Sequence, residues 1–296
     1  MLWFRVFLSI LFAGCLAAKE VAITIDDLPR GGDTEGTAAS DREMTVKLLA
    51  PFRQGHIPVI GFVNECHHRD ELRTLLPLWI SAGAELGNHT CSHIDLNKTS
   101  ATDFEAEITK GAVVTTALLG HEPTYFRYPF LHLGKDAETK RTIQQFLQKH
   151  GYRNAPVTLD NSDYMFARVY ANALTAGDRS QAERVRKAYL AYMQSIFAFF
   201  EARSREVTGH EIRQVLLIHA SQLNADVMPE LLAMTRGRGY KFVSLDRVLQ
   251  DPAYSLPENY VGPGGFSWIH RWSMTKGMKP KGEPNEPEWI RKQAGF

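Results

Sequence analysis

The chain has 296 residues, of which 44% are hydrophobic and 23% charged, so it can bury a sizeable core and is not a disordered protein. Its 34 Lys and Arg nearly balance its 33 Asp and Glu, giving a formal net charge of +1. This balance argues against nucleic acid as a partner. The length allows one large α/β domain or two small ones.

The first residues predict a secretory signal over residues 1–18. Arg5 is followed by the apolar run 6–12, and small residues then lead to Ala17 and Ala18. We therefore predict cleavage near residue 18 and export to the periplasm or the medium. The run is shorter than the ~20 apolar residues that span a bilayer, so no transmembrane span is expected after cleavage, and a retained membrane anchor is the alternative. Cys15 leaves lipid anchoring open as a further alternative.

Short β-rich apolar runs alternate with longer helical patterns from residue 20 onward, which is typical of a parallel sheet wrapped by helices. The runs VAITI, PVIGFV and VLLIH have the nearly continuous apolar content of buried parallel strands. Seven strands are predicted, at residues 21–25, 58–63, 84–88, 124–127, 152–158, 215–219 and 242–245.

Six helices are predicted between these strands, at residues 41–54, 71–82, 100–119, 135–149, 182–204 and 226–238. Ser40 and Glu43 form a capping box at the first, while Gly83 and Gly239 stand where helices should end. No Pro/Gly-rich linker interrupts the chain before residue 250, and no internal repeat is visible. A single barrel-like domain over residues 19–250 is therefore expected.

Residues 251–296 form an extension rich in Pro, Gly and Trp. Its aromatic stretch contains Phe266, Trp268, His270 and Trp272. These side chains either pack on the barrel or edge a substrate groove, because aromatic faces stack on sugar rings as well as on protein. Packing on the barrel is the preferred interpretation.

Polar residues follow the ends of the predicted strands, where parallel sheets and barrels place their active sites. Asp26 and Asp27 come directly after VAITI. Adjacent carboxylates at the end of a buried strand repel each other, and a metal ion would relieve this for one of them and leave the other as a base. A pair of aspartates is also common in turns, so this motif is not specific alone.

The second polar cluster is HTCSH, after the third strand. His89 and His93 stand four residues apart, and on one helical turn they would converge on a single ion. With one aspartate they would make a three-ligand site whose remaining positions stay open to water and substrate. A rival metal site is Cys66 with His67 and His68, but adjacent side chains tend to diverge. Surface or capping histidines are the non-functional alternative.

Two further features leave alternatives open. His219 ends the apolar strand VLLI, so it either points into the core or acts as a proton donor at the mouth of the barrel. Cys66 and Cys91 remain after removal of the predicted signal. In an oxidising compartment they can be bridged, but two unpaired small apolar side chains are an equal alternative.

Taken together, the motifs TIDD, HTCSH, RYPF, DNSDY and LLIH resemble in order the five motifs of the NodB-homology polysaccharide deacetylases, carbohydrate esterase family 4. The resemblance implies a distorted (β/α)7 barrel and a metal-dependent deacetylase that acts on linear, non-peptide amide bonds. It also implies that Asp27, His89 and His93 hold a divalent metal. Zinc is usual in the family, and cobalt or another divalent ion is the alternative.

The resemblance further implies an acid and a base. Asp26 would be the general base for a metal-bound water, and His219 would be the general acid that protonates the leaving amine. Arg127 would hold Asp26 through a charged hydrogen bond, and Asp163 would orient His219.

The acetyl pocket is where this chain departs from the family pattern. Tyr164 stands in place of the family tryptophan, with Leu217 opposite, and a backbone N–H near Tyr128 is a candidate oxyanion donor. RYPF is followed by LHLG instead of the common R-P-P-Y-G run. The predicted substrate is an N-acetylated aminosugar in peptidoglycan, a chitin-like chain or another exported glycan. The alternatives are hydrolysis of an O-acetyl sugar or small amide, and a glycan-binding barrel without turnover.

Overall fold

The structure is a computed structural model. It describes residues 18–31, 36–64, 66, 70–279 and 281–296. The predicted signal as far as residue 17, with Cys15, lies outside the described residues, as do His67 and His68 of the rival metal site. Among the residues that are described, no helix has both the length and the apolar content needed to cross a membrane.

Seven parallel strands form one curled sheet wrapped by helices, which confirms the predicted fold class, a (β/α)7-type barrel. The strands of the described residues are β1 Lys19–Leu28, β2 Val59–Val63, β3 Glu85–Asn88, β4 Tyr125–Phe126, β5 Arg153–Asn154, β6 Gln214–His219 and β7 Tyr240–Phe242. Their order in the sheet is β5-β4-β3-β2-β1-β6, and β7 also pairs with β1. The sheet therefore runs from β5 at one edge to β6 at the other.

The fifth strand is much shorter than predicted. The sequence predicts a strand over 152–158, but only Arg153 and Asn154 pair with β4. The chain then crosses to β6, where the Leu159 N–H donates to the carbonyl of Val215 at 2.9 Å and the Leu217 N–H donates to the carbonyl of Leu159 at 3.2 Å. The two edges of the sheet are therefore joined by an irregular segment, which is what distorts the barrel.

Ten α-helices lie within the described residues. They are α1 Ala38–Gly55, α2 Leu76–Ser81, α3 Ala101–Leu119, α4 Ala137–Lys149, α5 Asp163–Thr175, α6 Arg179–Thr208, α7 Gln222–Gly237, α8 Leu245–Val248, α9 Trp268–Thr275 and α10 Glu288–Ala294. Short 3-10 helices occupy Asp70–Leu75, Pro129–Leu131 and Pro252–Ser255.

Several helix boundaries differ from the predicted ones for local reasons. Helix α1 begins at Ala38 because Thr37, and not Ser40, is the N-cap, its hydroxyl accepting from the Ser40 N–H at 3.1 Å. Helix α7 begins four residues earlier than predicted because Ser221 caps it. Helix α5 was not predicted at all, and it starts inside the DNSDY motif at Asp163.

The longest helix, α6, packs on the core through an apolar stripe. Tyr189, Met193, Ile196 and Phe197 are among its fully buried side chains. The extension joins the same core, where Trp272 is buried while α9 contacts α6 and α10 contacts α5. Burial of this much apolar surface in one cluster holds the extension against the helices beside the strand ends.

Candidate active site

The site lies at the carboxyl end of the sheet, because its polar residues lie in the last residues of neighbouring strands or directly after them. In the register of β1 and β6, Asp26 is the direct partner of His219. On the side of β1 opposite to β6, the His89 N–H donates to the carbonyl of Val63 at 3.0 Å, and the Arg127 N–H donates to the carbonyl of Asn88 at 2.9 Å. Parallel strands thus bring residues that are far apart in the sequence to one edge.

Asp27, His89 and His93 converge as predicted, although not through a helical turn. Thr90 and His93 have positive φ angles of 63° and 53°, so HTCSH is a loop with two left-handed residues. The two imidazole rings lie 4.9 Å apart. Oδ1 of Asp27 is 3.6 Å from Nε2 of His89 and 3.4 Å from Nε2 of His93. It also accepts a hydrogen bond from the Asn64 amide at 2.6 Å.

The environment of His89 prepares its ring to act as a ligand. Its Nδ1 lies 2.8 Å from the carbonyl oxygen of Arg127, which can only accept, so Nδ1 carries the proton and Nε2 keeps its lone pair. Burial, together with the neighbouring His93, lowers the pKa of His89 to about 3. The ring is therefore neutral at physiological pH, and the carbonyl fixes the tautomer that a metal ligand needs.

The three residues fit a divalent metal. Their ligand atoms all lie within 4.8 Å of one another. Two ligands that bind one zinc ion tetrahedrally at ~2.0–2.1 Å stand roughly 3.3 Å apart, which is close to the 3.4 and 3.6 Å found between Asp27 and the two imidazoles. Two imidazoles and one carboxylate are also a donor set typical of catalytic zinc.

Asp26 is a buried carboxyl group held by a buried cation. Nη1 of Arg127 donates to its Oδ2 at 3.3 Å, and Nη2 donates to the hydroxyl of Thr24 at 2.9 Å. The other carboxyl oxygen, Oδ1, accepts no hydrogen bond from any described residue. Burial raises the pKa of Asp26 to about 6 against the opposing charge of Arg127. A carboxyl group with such a pKa can take up and release a proton near neutrality.

His219 is oriented by Asp163. Its Nδ1 lies 2.7 Å from Oδ1 of Asp163, while Oδ2 of the same carboxylate accepts from the His219 N–H at 2.8 Å and from the Asn224 amide at 2.7 Å. Burial by itself lowers the pKa of His219, but the charge and hydrogen bond of Asp163 outweigh it and raise the pKa to about 10. Nε2 of His219 therefore carries a proton at neutral pH, and it lies 4.0 Å from Asp27.

One cavity of about 430 Å³ is lined by the three proposed ligands and by the proposed base and acid: Asp27, His89, His93, Asp26 and His219. Tyr128, Tyr164 and Leu217 also lie in its lining. Arg127 and Asp163 do not; they stand behind Asp26 and His219 and contact the cavity only through them.

The cavity also contains residues to which the sequence assigns no role. Asp160 and Phe130 belong to the DNSDY and RYPF motifs, so their place in a motif was the signal that could have found them. Gly265 and Glu283 come from the extension and have no such signal. Glu283 is held by His270, whose Nε2 lies 2.9 Å from its carboxylate.

Replacing Asp160 by Asn is expected to stabilise the metal-free protein increasingly as the pH rises from 5 to 8. Burial and the nearby carboxylate of Glu283 raise the pKa of Asp160 to about 7, against the opposing effects of the Asn161 N–H, His219 and Arg127. The folded state therefore holds a proton that the unfolded state has lost, and stability falls over this range. The measurement is the unfolding temperature Tm of both proteins in EDTA. The Tm of Asp160→Asn minus that of the wild type should be at least about 2 °C larger at pH 8 than at pH 5.

The control for this experiment is Asp136→Asn. Asp136 caps α4, and the backbone hydrogen bond from Thr139 lowers the pKa of its carboxyl group. It is ionised in both the folded and the unfolded state from pH 5 to 8, so the difference from the wild type should stay constant. A constant difference for Asp160→Asn as well would contradict the prediction.

Cys66 and Cys91 form a disulfide, with Cα atoms 4.9 Å apart, where the sequence left pairing open. Cys91 lies between His89 and His93, so the bond ties the HTCSH loop to the segment after β2. Cys66 is thereby engaged in a covalent bond and not in the rival metal site.

The fold and the site together define an α/β protein of the (β/α)7-barrel type with polar residues gathered at the strand ends. The family model described as polysaccharide deacetylase matches residues 13–155. A peptidoglycan-N-acetylglucosamine deacetylase from Bacillus cereus is 26% identical over 136 residues, which are 46% of this chain and 45% of that protein. The chain therefore aligns with less than half the length of that relative.

Two solved structures are similar in fold. A chitin deacetylase from Colletotrichum lindemuthianum has a TM-score of 0.53 at 21% identity, covering 83% of this chain and 92% of that one. A Bacillus anthracis protein described as a pseudoenzyme of carbohydrate esterase family 4 has a TM-score of 0.50 at 13% identity. The match covers 79% of this chain and 66% of that one. The match over residues 13–155 is to the family that the five motifs resemble, which confirms that resemblance. Because the fold also occurs in a pseudoenzyme, activity has to be argued from the residues.

Proposed function

We propose that the chain is a metal-dependent hydrolase that removes N-acetyl groups from an aminosugar-containing glycan. The observation that carries this proposal is the convergence of Asp27, His89 and His93 beside Asp26 and His219 in one cavity. The names of the similar proteins, a peptidoglycan-N-acetylglucosamine deacetylase and a chitin deacetylase, support an N-acetylated sugar as the substrate class.

Asp27, His89 and His93 are the residues proposed to hold the metal. When bound, a divalent cation lowers the pKa of a water molecule and polarises a carbonyl oxygen. Zinc is proposed because the donor set and the spacing suit it. Asn64 supports the site by donating to Asp27, and the carbonyl of Arg127 supports it by fixing the tautomer of His89.

The other residues are proposed to move protons. Asp26 takes a proton from the attacking water at its unpaired Oδ1, while Arg127 holds Oδ2 in place. His219 gives the proton on Nε2 to the nitrogen of the leaving amine, because an amine anion is too poor a leaving group to depart unprotonated. Asp163 keeps Nδ1 of His219 engaged, so that Nε2 is the nitrogen that faces the cavity. Tyr164 and Leu217 are proposed to enclose the acetyl group.

We also propose that the protein acts outside the cytoplasm. The disulfide between Cys66 and Cys91 supports an oxidising compartment, since such bonds rarely persist in reducing ones. The signal-like composition of the first 18 residues supports the same location.

The test is metal content and acetate release in purified residues 19–296. Substrates would be acetylated chitooligosaccharides, peptidoglycan and acetylated xylan. Chelation should abolish acetate release from the N-acetylated substrates, and zinc or cobalt should restore it. His89→Ala should bind metal at least about tenfold more weakly than the wild type.

His121→Ala is the matched control, because His121 is exposed after α3, does not line the cavity and is not one of the three proposed ligands. It should keep its metal and its activity. Full metal content in His89→Ala would contradict the ligand assignment. Acetate from xylan alone would favour an O-acetyl esterase, and binding of glycan without release of acetate would favour a barrel without turnover.

A further inference from the structure

The C-terminal extension passes along the wall of the cavity. Residues 258–271, here called the strap, contact residues 128–134, which follow β4 and are here called the Phe130 segment. Gly265 of the strap lines the same cavity as Phe130 and Leu131. The strap is therefore placed to act on the pocket, although it belongs to none of the five motifs and lies beyond residues 13–155.

Arg271 joins the strap to the Phe130 segment. Its side chain is 1% exposed, and Nη2 donates to the carbonyl of Leu131 at 2.6 Å. Nε donates to the carbonyl of Phe266 at 3.0 Å, and Nη1 lies 3.5 Å from the carboxylate of Glu258. A buried guanidinium with several fixed acceptors holds its partners in one geometry, so Arg271 positions the carbonyl of Leu131 relative to the strap.

Gly265 brings the strap into backbone contact with the Phe130 segment. A Cβ atom on Gly265 would lie 1.9 Å from the carbonyl oxygen of Phe130, so only glycine allows this approach. Phe130 and Leu131 have φ angles of 56° and 54°, a conformation that residues other than glycine rarely adopt. The strap therefore supports a backbone shape that the segment does not favour by itself.

This backbone shape decides where the Phe130 ring stands. The side chain is 53% exposed, and its ring lies 4.5 Å from the ring of His93. An exposed aromatic face beside the cavity can take the apolar face of a pyranose ring. We infer that the strap is a specificity element. It positions Phe130 through Arg271 and forms the adjacent wall of the cavity at Gly265. In this way it selects which glycan chain reaches the site. This inference rests on the proposed deacetylase function.

The test compares Gly265→Ala with Gly282→Ala. Gly282 lies in the same extension, and a Cβ atom there would meet nothing within 4 Å. Gly265→Ala should raise KM for an acetylated chitooligosaccharide about tenfold or more, because the new Cβ displaces Phe130 or narrows the cavity. The loss of kcat/KM on the small ester 4-nitrophenyl acetate should be clearly smaller than the loss on the oligosaccharide, because the ester does not extend along the strap. The metal content should match the wild type, because none of the three proposed ligands lies on the strap. Gly282→Ala should match the wild type in KM for the oligosaccharide, in metal content and in turnover of 4-nitrophenyl acetate.

Two further measurements separate the inference from the proposed function. Hydrogen exchange of residues 128–134 should be faster in Gly265→Ala and in Arg271→Met than in the wild type. The rate in Arg271→Lys should lie between those of the wild type and Arg271→Met. This readout applies even if the wild type releases no acetate, an outcome that would overturn the proposed function alone. An unchanged KM and unchanged exchange in Gly265→Ala would overturn the inference. Equal loss of metal and of activity on both substrates would also overturn it, because the strap would then act on the metal site and not on specificity.

Discussion

Asp26→Asn is expected to lower kcat for acetate release by about 100- to 10,000-fold while the bound metal stays at the wild-type level. The amide keeps the shape of the carboxyl group but cannot take a proton from water. The proposed ligands are Asp27 and the two histidines, so the loss of charge at Asp26 leaves them in place. Metal analysis and steady-state kinetics on the same preparation measure both quantities.

Asp27→Asn is the matched comparison, because it makes the same chemical change at the next residue. We expect it to lose metal and activity together, since Oδ1 of Asp27 stands between His89 and His93. If Asp26→Asn lost its metal while Asp27→Asn retained it, the roles of the two carboxylates would have to be exchanged. If Asp26→Asn kept full activity, Asp26 would not be the base.

Trp272→Ala is expected to lower the free energy of unfolding by about 3–5 kcal/mol. The Trp272 ring is 1% exposed, contacts the ring of Tyr254 at 5.6 Å and belongs to the core cluster that also contains the α6 stripe. Its removal leaves a cavity that a packed interior fills only partly. Urea unfolding should show one cooperative transition with an unchanged slope and a lower midpoint.

The comparison variant is Trp289→Ala on α10. Trp289 is only partly buried against the core and lies 4.1 Å from the guanidinium of Arg184, so its loss should cost clearly less. Two separate transitions in the wild type would mean that residues 251–296 fold apart from the barrel. A loss below about 1 kcal/mol for Trp272→Ala would likewise contradict a shared core.

Parts of the site could be predicted because local sequence and strand position carry the information. Asp26 and His219 each end an apolar run, and parallel strands end at one edge, so their proximity follows once the strands are recognised. His89 and His93 were expected to converge through a helical turn, and they converge through a loop instead. Left-handed conformations at Thr90 and His93 leave no pattern in the sequence, so the route was wrong while the proximity was correct.

Two other parts of the fold, helix α5 and the predicted strand over 152–158, were not predicted correctly. Helix α5 has an apolar face that includes Phe166, Val169 and Tyr170, but no helix was predicted between the DNSDY motif and residue 182. The run 152–158 was predicted as one strand, yet its last residue, Thr158, hydrogen-bonds to Val215 of β6 and not to β4. That pairing depends on the closure of the barrel and not on the run itself.

The sequence by itself determined the resemblance to the polysaccharide deacetylases, the parallel strands and the residues proposed as ligands, base and acid, because these depend on short motifs and on apolar runs. Only the tertiary structure decided what surrounds them. Gly265 and Glu283 reach the cavity from more than 40 residues beyond β6, and no local pattern records that approach. The reason is physical: a motif describes contacts within a few residues, whereas the walls of the pocket are set by packing between segments that meet only in the folded chain.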